Sequence, residues 1–182
     1  MRLMQKVAGA LAALAICAGA VMIVSQPVNG APEQKGGVAR PGAQAATLTI
    51  DGQRQGRLPV IELTNYSHEI ISPRDIASGL PTGQRQHKPF VIIKDVDKST
   101  PQLMSSLTTN ENLKTVVFTW PQGNTTYTVK LTNANIASIR QEAAPGSAPH
   151  ETVAFTYQRI EWTYTAADGT QTTTLDDWDA RN

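Results

Sequence analysis

Residues 87–103 read HKPFVIIKDVDKSTPQL, and they fix a strand, a turn and a helix start within seventeen positions. Val91, Ile92 and Ile93 form the short apolar, β-branched run that a buried strand requires. Asp95, Val96, Asp97 and Lys98 end it. Ser99 or Thr100 then serves as a helix N-cap, and Pro101 falls in the first turn, where its missing N–H costs nothing. Gln102 lies three residues after Ser99, as in a capping box. Leu103, Met104 and Leu107 share one face, so the pattern predicts a short helix over 99–109, ended by Asn110 and Asn112.

The rest of the chain from residue 47 reads as β. Strands are expected at 47–50, 58–66, 90–94, 113–120, 125–131, 133–140, 151–165 and 170–174, with 69–76 continuing the second strand after a bend. Pro73 marks that continuation as an edge or a break. Residues 77–87 (ASGLPTGQRQH) and 142–150 are loops, and Pro121-Gln122-Gly123-Asn124 is a hairpin turn. In 151–165, Val153, Phe155 and Tyr157 alternate on one face, then Ile160, Trp162 and Tyr164 take over. That change of phase near Gln158-Arg159 is the mark of a β-bulge. The frequent Thr at strand positions suits a sheet with one wet face. Many strands and one short helix predict a sandwich or small barrel.

The N-terminal quarter differs. Arg2 and Lys6 precede an uncharged apolar run over 7–24, so residues 1–24 read as a signal peptide or a membrane anchor. Small residues favour the cleaved signal, with cleavage after Ala31 or Ala45. Cys17 follows Ile16 rather than a small residue, which disfavours a lipoprotein signal. Residues 25–46, rich in Pro, Gly and Ala, read as a flexible linker, leaving 47–182 as one domain. Residues 1–46 hold Arg2, Lys6, Lys35 and Arg40 against Glu33, so the domain carries 12 basic and 14 acidic residues, net −2. That balance argues against a nucleic-acid partner. Cys17 is the one cysteine, so the exported domain has no disulfide, thiolate chemistry or cysteine metal site.

Few residues suggest chemistry. Asp95 and Asp97 at a strand end have the spacing of paired aspartates in phosphate-transferring hydrolases, but those need an alternating α/β chain. A solvated turn that favours the helix N-terminus is the better reading. His68, His87 and His150 show no metal-ligand spacing and lie beside turns or loops, where exposed or capping roles are expected. Asp176, Asp177 and Asp179 around Trp178 read as a solvated acidic tail rather than a calcium loop. Asn65-Tyr66-Ser67 and Asn124-Thr125-Thr126 are sequons, of consequence only in a glycosylating host. No catalytic residue, cofactor site or metal site is assigned.

Four blocks together resemble the Hcp family, the haemolysin-coregulated tube proteins of type VI secretion. They are residues 66–74 (YSHEIISPR), the stretch 87–103, residues 127–136 (YTVKLTNANI) with Ser138 and Ile139, and the alternating Val153, Phe155, Tyr157, Ile160, Trp162 and Tyr164. The resemblance implies a two-sheet β-barrel of the phage-tail-tube type with one short α-helix on its flank. It implies a long loop, supplied by 67–87, that reaches a neighbour. It also implies hexameric rings that stack into tubes or hold protein cargo, with no active site and no membrane contact beyond the N-terminal segment. Family members usually leave through the type VI machine without an N-terminal signal, so the leader is a departure. Two other readings compete: a monomeric secreted β-sandwich binding a surface glycan or protein through Trp120 and Trp178, and, further off, a hydrolase using Asp95 and Asp97.

Overall fold

The computed structural model describes residues 44–177. Their elements are β1 (Ala46–Gly52), β2 (Gly56–Arg57), β3 (Ile61–Leu63), β4 (Asn65–Ser67), β5 (Ile70–Ile71), β6 (Gln86–His87), β7 (Phe90–Asp95), α1 (Thr100–Thr108), β8 (Leu113–Gln122), β9 (Thr125–Glu142), β10 (His150–Thr165) and β11 (Gln171–Asp177). Nine strands form one antiparallel sheet and β5 and β6 form a second. The mainly β architecture with one short helix is therefore as expected. The main sheet runs β2-β1-β8-β9-β10-β7-β4, with β11 added on β10 and β3 on β1. It does not close as one regular ladder. Instead the segment 61–67 touches both flanks: β3 pairs with β1, β4 pairs with β7, and the N–H of Thr64 between them donates to the Ile93 carbonyl at 2.9 Å.

The inner face follows from period-two alternation. Leu48 and Ile50 on β1, Ile61 on β3, Phe90 and Ile92 on β7, Val116 and Phe118 on β8, Val129 and Leu131 on β9, and Val153, Phe155 and Ile160 on β10 are all buried in one core. Leu103 from α1 joins it, so the helix packs by one apolar contact line rather than a broad stripe.

Several expected boundaries moved. The strand at 58–66 is split into β3 and β4, because it must pair with two different partners. The two strands at 125–131 and 133–140 are one continuous β9. The turn before it has only two loop residues, since Gln122 pairs with Thr125. Gly123 takes φ +63° at the first of them, the position that a type II′ turn gives to glycine.

The change of phase in β10 is present, but its cause is different. Across Gln158 the register with β9 is unbroken, from Tyr157 opposite Ala134 to Arg159 opposite Thr132. Asn133 adopts φ +50° there, and its Nδ2 donates to Gln158 Oε1 at 2.7 Å. The buried residues switch phase together in three adjacent strands: Leu113 to Val116, Leu131 to Ala134, and Tyr157 to Ile160. A transverse fold in the sheet thus turns a new face inward. The true register shift lies at Ala154/Phe155.

Between β4 and β7, residues 68–88 form a hairpin arm. Ile70 pairs with His87, Ile71 with Gln86, and an isolated bridge joins Arg74 to Pro81. The tip is turned by Asp75, whose Oδ1 accepts from the Ser78 N–H at 2.7 Å and the Ala77 N–H at 3.2 Å. The sequence suggested one strand followed by a loop. Its two limbs instead pair with each other.

The leader 1–24, Cys17, residues 25–43 of the linker, Trp178 and Asp179 lie outside the described residues. Ala46, placed at the linker's end, is the first residue of β1.

Candidate functional site

The strand-to-helix stretch is held by a buried ion pair. Lys94 and Glu151 have fully buried side chains, with Lys94 Nζ 2.8 Å from Glu151 Oε1. The same ammonium donates to the Asp95 carbonyl at 2.7 Å and to Asp97 Oδ1 at 3.0 Å. Glu151 also accepts from Thr100 Oγ1 at 2.9 Å and Gln141 Nε2 at 3.1 Å. Alternation on β7 points Lys94 to the same side as Ile92, and only this set of acceptors makes that burial tolerable.

Asp97 performs the helix start. Its Oδ1 accepts from the Ser99 N–H at 2.7 Å and the Ser99 hydroxyl at 2.5 Å. The expected capping box is absent. Ser99 is the N-cap but makes no side-chain cap bond, and Gln102 Oε1 is buried with no partner among the described residues. The reason is local competition: Asp97 already binds the Ser99 hydroxyl, and Glu151 binds that of Thr100. Burial opposes the charge on Asp97, but the bonds from Ser99 and Lys94 outweigh it and hold the carboxyl below its usual range. Asp95 is exposed. The two aspartates therefore serve a turn and a cap.

A second anchored carboxylate was not foreseen. Glu111, 3% exposed, accepts from the N–H groups of Arg54 at 2.7 Å and Gln55 at 3.0 Å, from Gln55 Nε2 at 3.1 Å and from Ser106 Oγ at 3.2 Å. Burial works against this charge, and those donors more than offset it, so the carboxyl lies below its usual range. Its sequence context, Asn-Glu-Asn after a helix, looks like any solvated turn.

The third network joins three regions distant in sequence. Tyr157 on β10 has its hydroxyl 2.6 Å from His68 Nε2 and 2.9 Å from His87 Nδ1. His87 Nε2 lies 2.8 Å from Asp176 Oδ2 on β11, and Arg85 grips both Asp176 oxygens. Arg85 Nη2 also donates to the Asp177 carbonyl at 3.0 Å. The expected exposed or capping histidines are corrected here: the His87 side chain is 2% exposed, and His68 stacks on Phe90. His150 alone fits that expectation, 41% exposed and 3.7 Å from Glu142. Asp176 is likewise no solvated tail. Burial resists its charge, yet Arg85 and His87 hold it below the ordinary carboxylate range. Burial, aided by the Asp176 charge, pushes the Tyr157 phenol well up. His68 is lowered, first by burial and then by His87.

Beside the sheet fold lies a shallow, open depression lined by Gln53, Asn112, Asn133, Asn135, Thr156, Tyr157 and Gln158. Its groups are amides and hydroxyls, with no carboxylate, imidazole or thiol to act as base or nucleophile. Trp120 does not offer a binding platform. It packs against Tyr66, Phe118 and Tyr127 with ring centroids 4.3, 5.9 and 5.7 Å apart. Among the described residues no three His, Cys, Asp or Glu side chains are arranged so that they could hold a metal ion. No helix among them is long and apolar enough to cross a membrane.

These features define a class: an antiparallel β protein with a flanking helix, buried charge networks that fasten segment to segment, and one projecting hairpin arm. The chain belongs to the Hcp family of type VI secretion, because the family described as "Type VI secretion system effector, Hcp" matches residues 45–164. The "Major exported protein" of Pseudomonas aeruginosa is 35% identical over 157 residues, covering 79% of this chain and 90% of that one. A crystal structure of an Hcp protein superposes with a TM-score of 0.67 at 31% identity, covering 75% of this chain and all of that one. The secreted protein Hcp3 from Pseudomonas aeruginosa gives 0.60 at 29% identity, over 76% of this chain and 100% of its own.

Proposed function

We propose that this chain is an exported structural subunit that self-associates into rings, hexameric by analogy with the family, which stack into tubes or enclose protein cargo. One observation carries the reading. The arm presents Ile76 at 103% exposure and Leu80 at 64%, with Ile70 at its base half-exposed, and nothing in the described residues covers them. Apolar side chains on a projecting hairpin suit a complementary surface on a second copy, and a heterologous contact of that kind closes into a ring when its rotation allows. Leu175, 50% exposed on the outer strand β11, extends the surface available for such contact. The polar networks fit the same reading, since each fastens together segments distant in sequence.

In this reading residues 1–24 direct export, 25–46 act as a spacer, and 47–182 are the assembling domain. No enzymatic step, cofactor, nucleic acid or further membrane contact is involved. Sedimentation of the exported chain tests it: a mass several times that of the monomer is expected at micromolar concentration. Ile76→Asp, at an exposed position, should shift the population to monomer while leaving the β-rich circular dichroism spectrum unchanged. A wild-type protein that stays monomeric at the highest soluble concentration would refute the assembly.

A further inference from the structure

We propose that His68, Tyr157, His87 and Asp176 form a proton-limited latch, which fastens the root of the arm to β10 and β11 at neutral pH and releases it under mild acid. The assembly consequence rests on the ring reading above, but the latch is a property of the single chain.

The geometry limits how many protons the latch can hold. A phenol hydroxyl has one hydrogen to donate, and Tyr157 has an imidazole nitrogen on each side, at 2.6 and 2.9 Å. With both histidines neutral, one direction satisfies every group: His68 Nε2–H donates to the Tyr157 oxygen, Tyr157 O–H donates to His87 Nδ1, and His87 Nε2–H donates to Asp176. A single added proton is also accommodated. On His68 it leaves the chain of bonds unchanged, and on His87 it is met by the Tyr157 hydrogen turning round toward His68 Nε2. A second proton finds no arrangement. Both imidazoles would aim N–H at the same oxygen, the phenol hydrogen would lose its acceptor, and two cations would face each other across one hydroxyl.

The titratable groups hydrogen-bonded to the two imidazoles include Tyr157 on β10 and Asp176 on β11. Arg85 on the arm already occupies both Asp176 oxygens, and Asp177 offers its carbonyl to Arg85. Lys88 lines a cavity of about 40 Å³ together with His87 and Tyr157. His68 also meets the rings of Phe90 and Trp162. The closed latch therefore resists a second proton on the pair, in keeping with the lowered pKa of His68. The open state takes that proton more readily, so the closed state loses ground as pH falls below the free imidazole value of 6.5.

Release matters because the arm has little structure of its own. Outside the latch the arm keeps a short ladder, one bridge, the hydrogen bonds flanking them and the Arg85 grip on β11, and an isolated hairpin of that size is marginal in water. An unlatched arm would present Ile76 and Leu80 in many orientations instead of one, and a ring joint built on them would loosen.

Amide hydrogen exchange on the full chain tests this, with protection factors corrected for intrinsic rates at about pH 7.5 and about pH 5. Wild-type protection across the arm, including the Lys88 N–H that donates to the Glu69 carbonyl at 3.0 Å, should fall about tenfold at the lower pH, while that of β9 holds. His68→Gln keeps a donor toward Tyr157 but cannot titrate, so its arm protection should change less than about twofold. Equal protection at both pH values in the wild type would overturn the latch, whether or not the variant folds. So would a His68→Gln chain that loses protection as the wild type does. Sedimentation of the same samples separates the two readings. A monomer whose arm still loosens in acid supports the latch and sinks the ring; a ring whose arm ignores pH does the reverse.

Discussion

Replacing Lys94 with Met should be among the most damaging single changes in the chain. Met fills similar space on β7, so the loss is electrostatic rather than a cavity. What remains is the Glu151 carboxylate, with no exposed side-chain surface and only two neutral donors, Thr100 Oγ1 and Gln141 Nε2, to stabilise it. Removing one partner of a buried pair costs about 3–5 kcal/mol, because the other charge is left uncompensated. Domains of this size have a total stability of about 5–15 kcal/mol, so the variant should lie near its folding threshold. Urea unfolding followed by tryptophan fluorescence reads the loss directly. With an m-value of about 2 kcal/mol per molar, the midpoint should drop by about 2 M at unchanged m. Glu151→Leu alone and the double variant Lys94→Met, Glu151→Leu close the cycle on this pair. The double variant should recover at least about 1 kcal/mol relative to Lys94→Met alone, since no charge is then stranded. A single variant whose midpoint moves by less than about 0.5 M, or a double variant whose losses simply add, would refute the argument.

Other consequences are as direct. A Cβ at Gly52 would sit 2.5 Å from Glu111 Oε1, so Gly52→Ala must displace that carboxylate from the Arg54 and Gln55 amides, lowering stability by about 1–3 kcal/mol in the same assay. Asn133→Ala should cost about 1–2 kcal/mol, because alanine tolerates φ +50° poorly and cannot reach Gln158, whereas Asn133→Gly should lose less. Asp97, Glu111 and Asp176 all titrate below their ordinary values of 3.8, 4.5 and 3.8. Their stabilisation is complete above those values and is lost as pH falls through the depressed folded ones, so thermal midpoints should decline steeply only in strong acid. His68 acts at higher pH and, by the latch argument, on the arm alone.

What was legible came from local signals. The β7 run, the helix start and the alternation on β10 are written in consecutive residues, and the structure holds each close to its expected bounds. The phase change at Gln158 was legible too, but not its mechanism, because the residue with the unusual backbone is Asn133 on the next strand. The capping box failed for a related reason: the hydroxyls of Ser99 and Thr100 were claimed by Asp97 and by Glu151, the latter 51 positions away. Trp120 looked like an exposed platform, and it became part of an aromatic row only because β4 brings Tyr66 across it.

The sequence by itself determined a mainly β domain with one short helix, its family, and the absence of a conventional catalytic motif. Periodicity and turn chemistry act over a few residues, and a resemblance rests on the order of such blocks. Tertiary structure alone decided which polar residues meet. His68 and His87 stand 89 and 70 positions from Tyr157, and Lys94 stands 57 from Glu151. Nothing in their local contexts marks them as partners. Burial makes those meetings consequential, because a charge or hydroxyl removed from water depends on whichever group the fold places beside it.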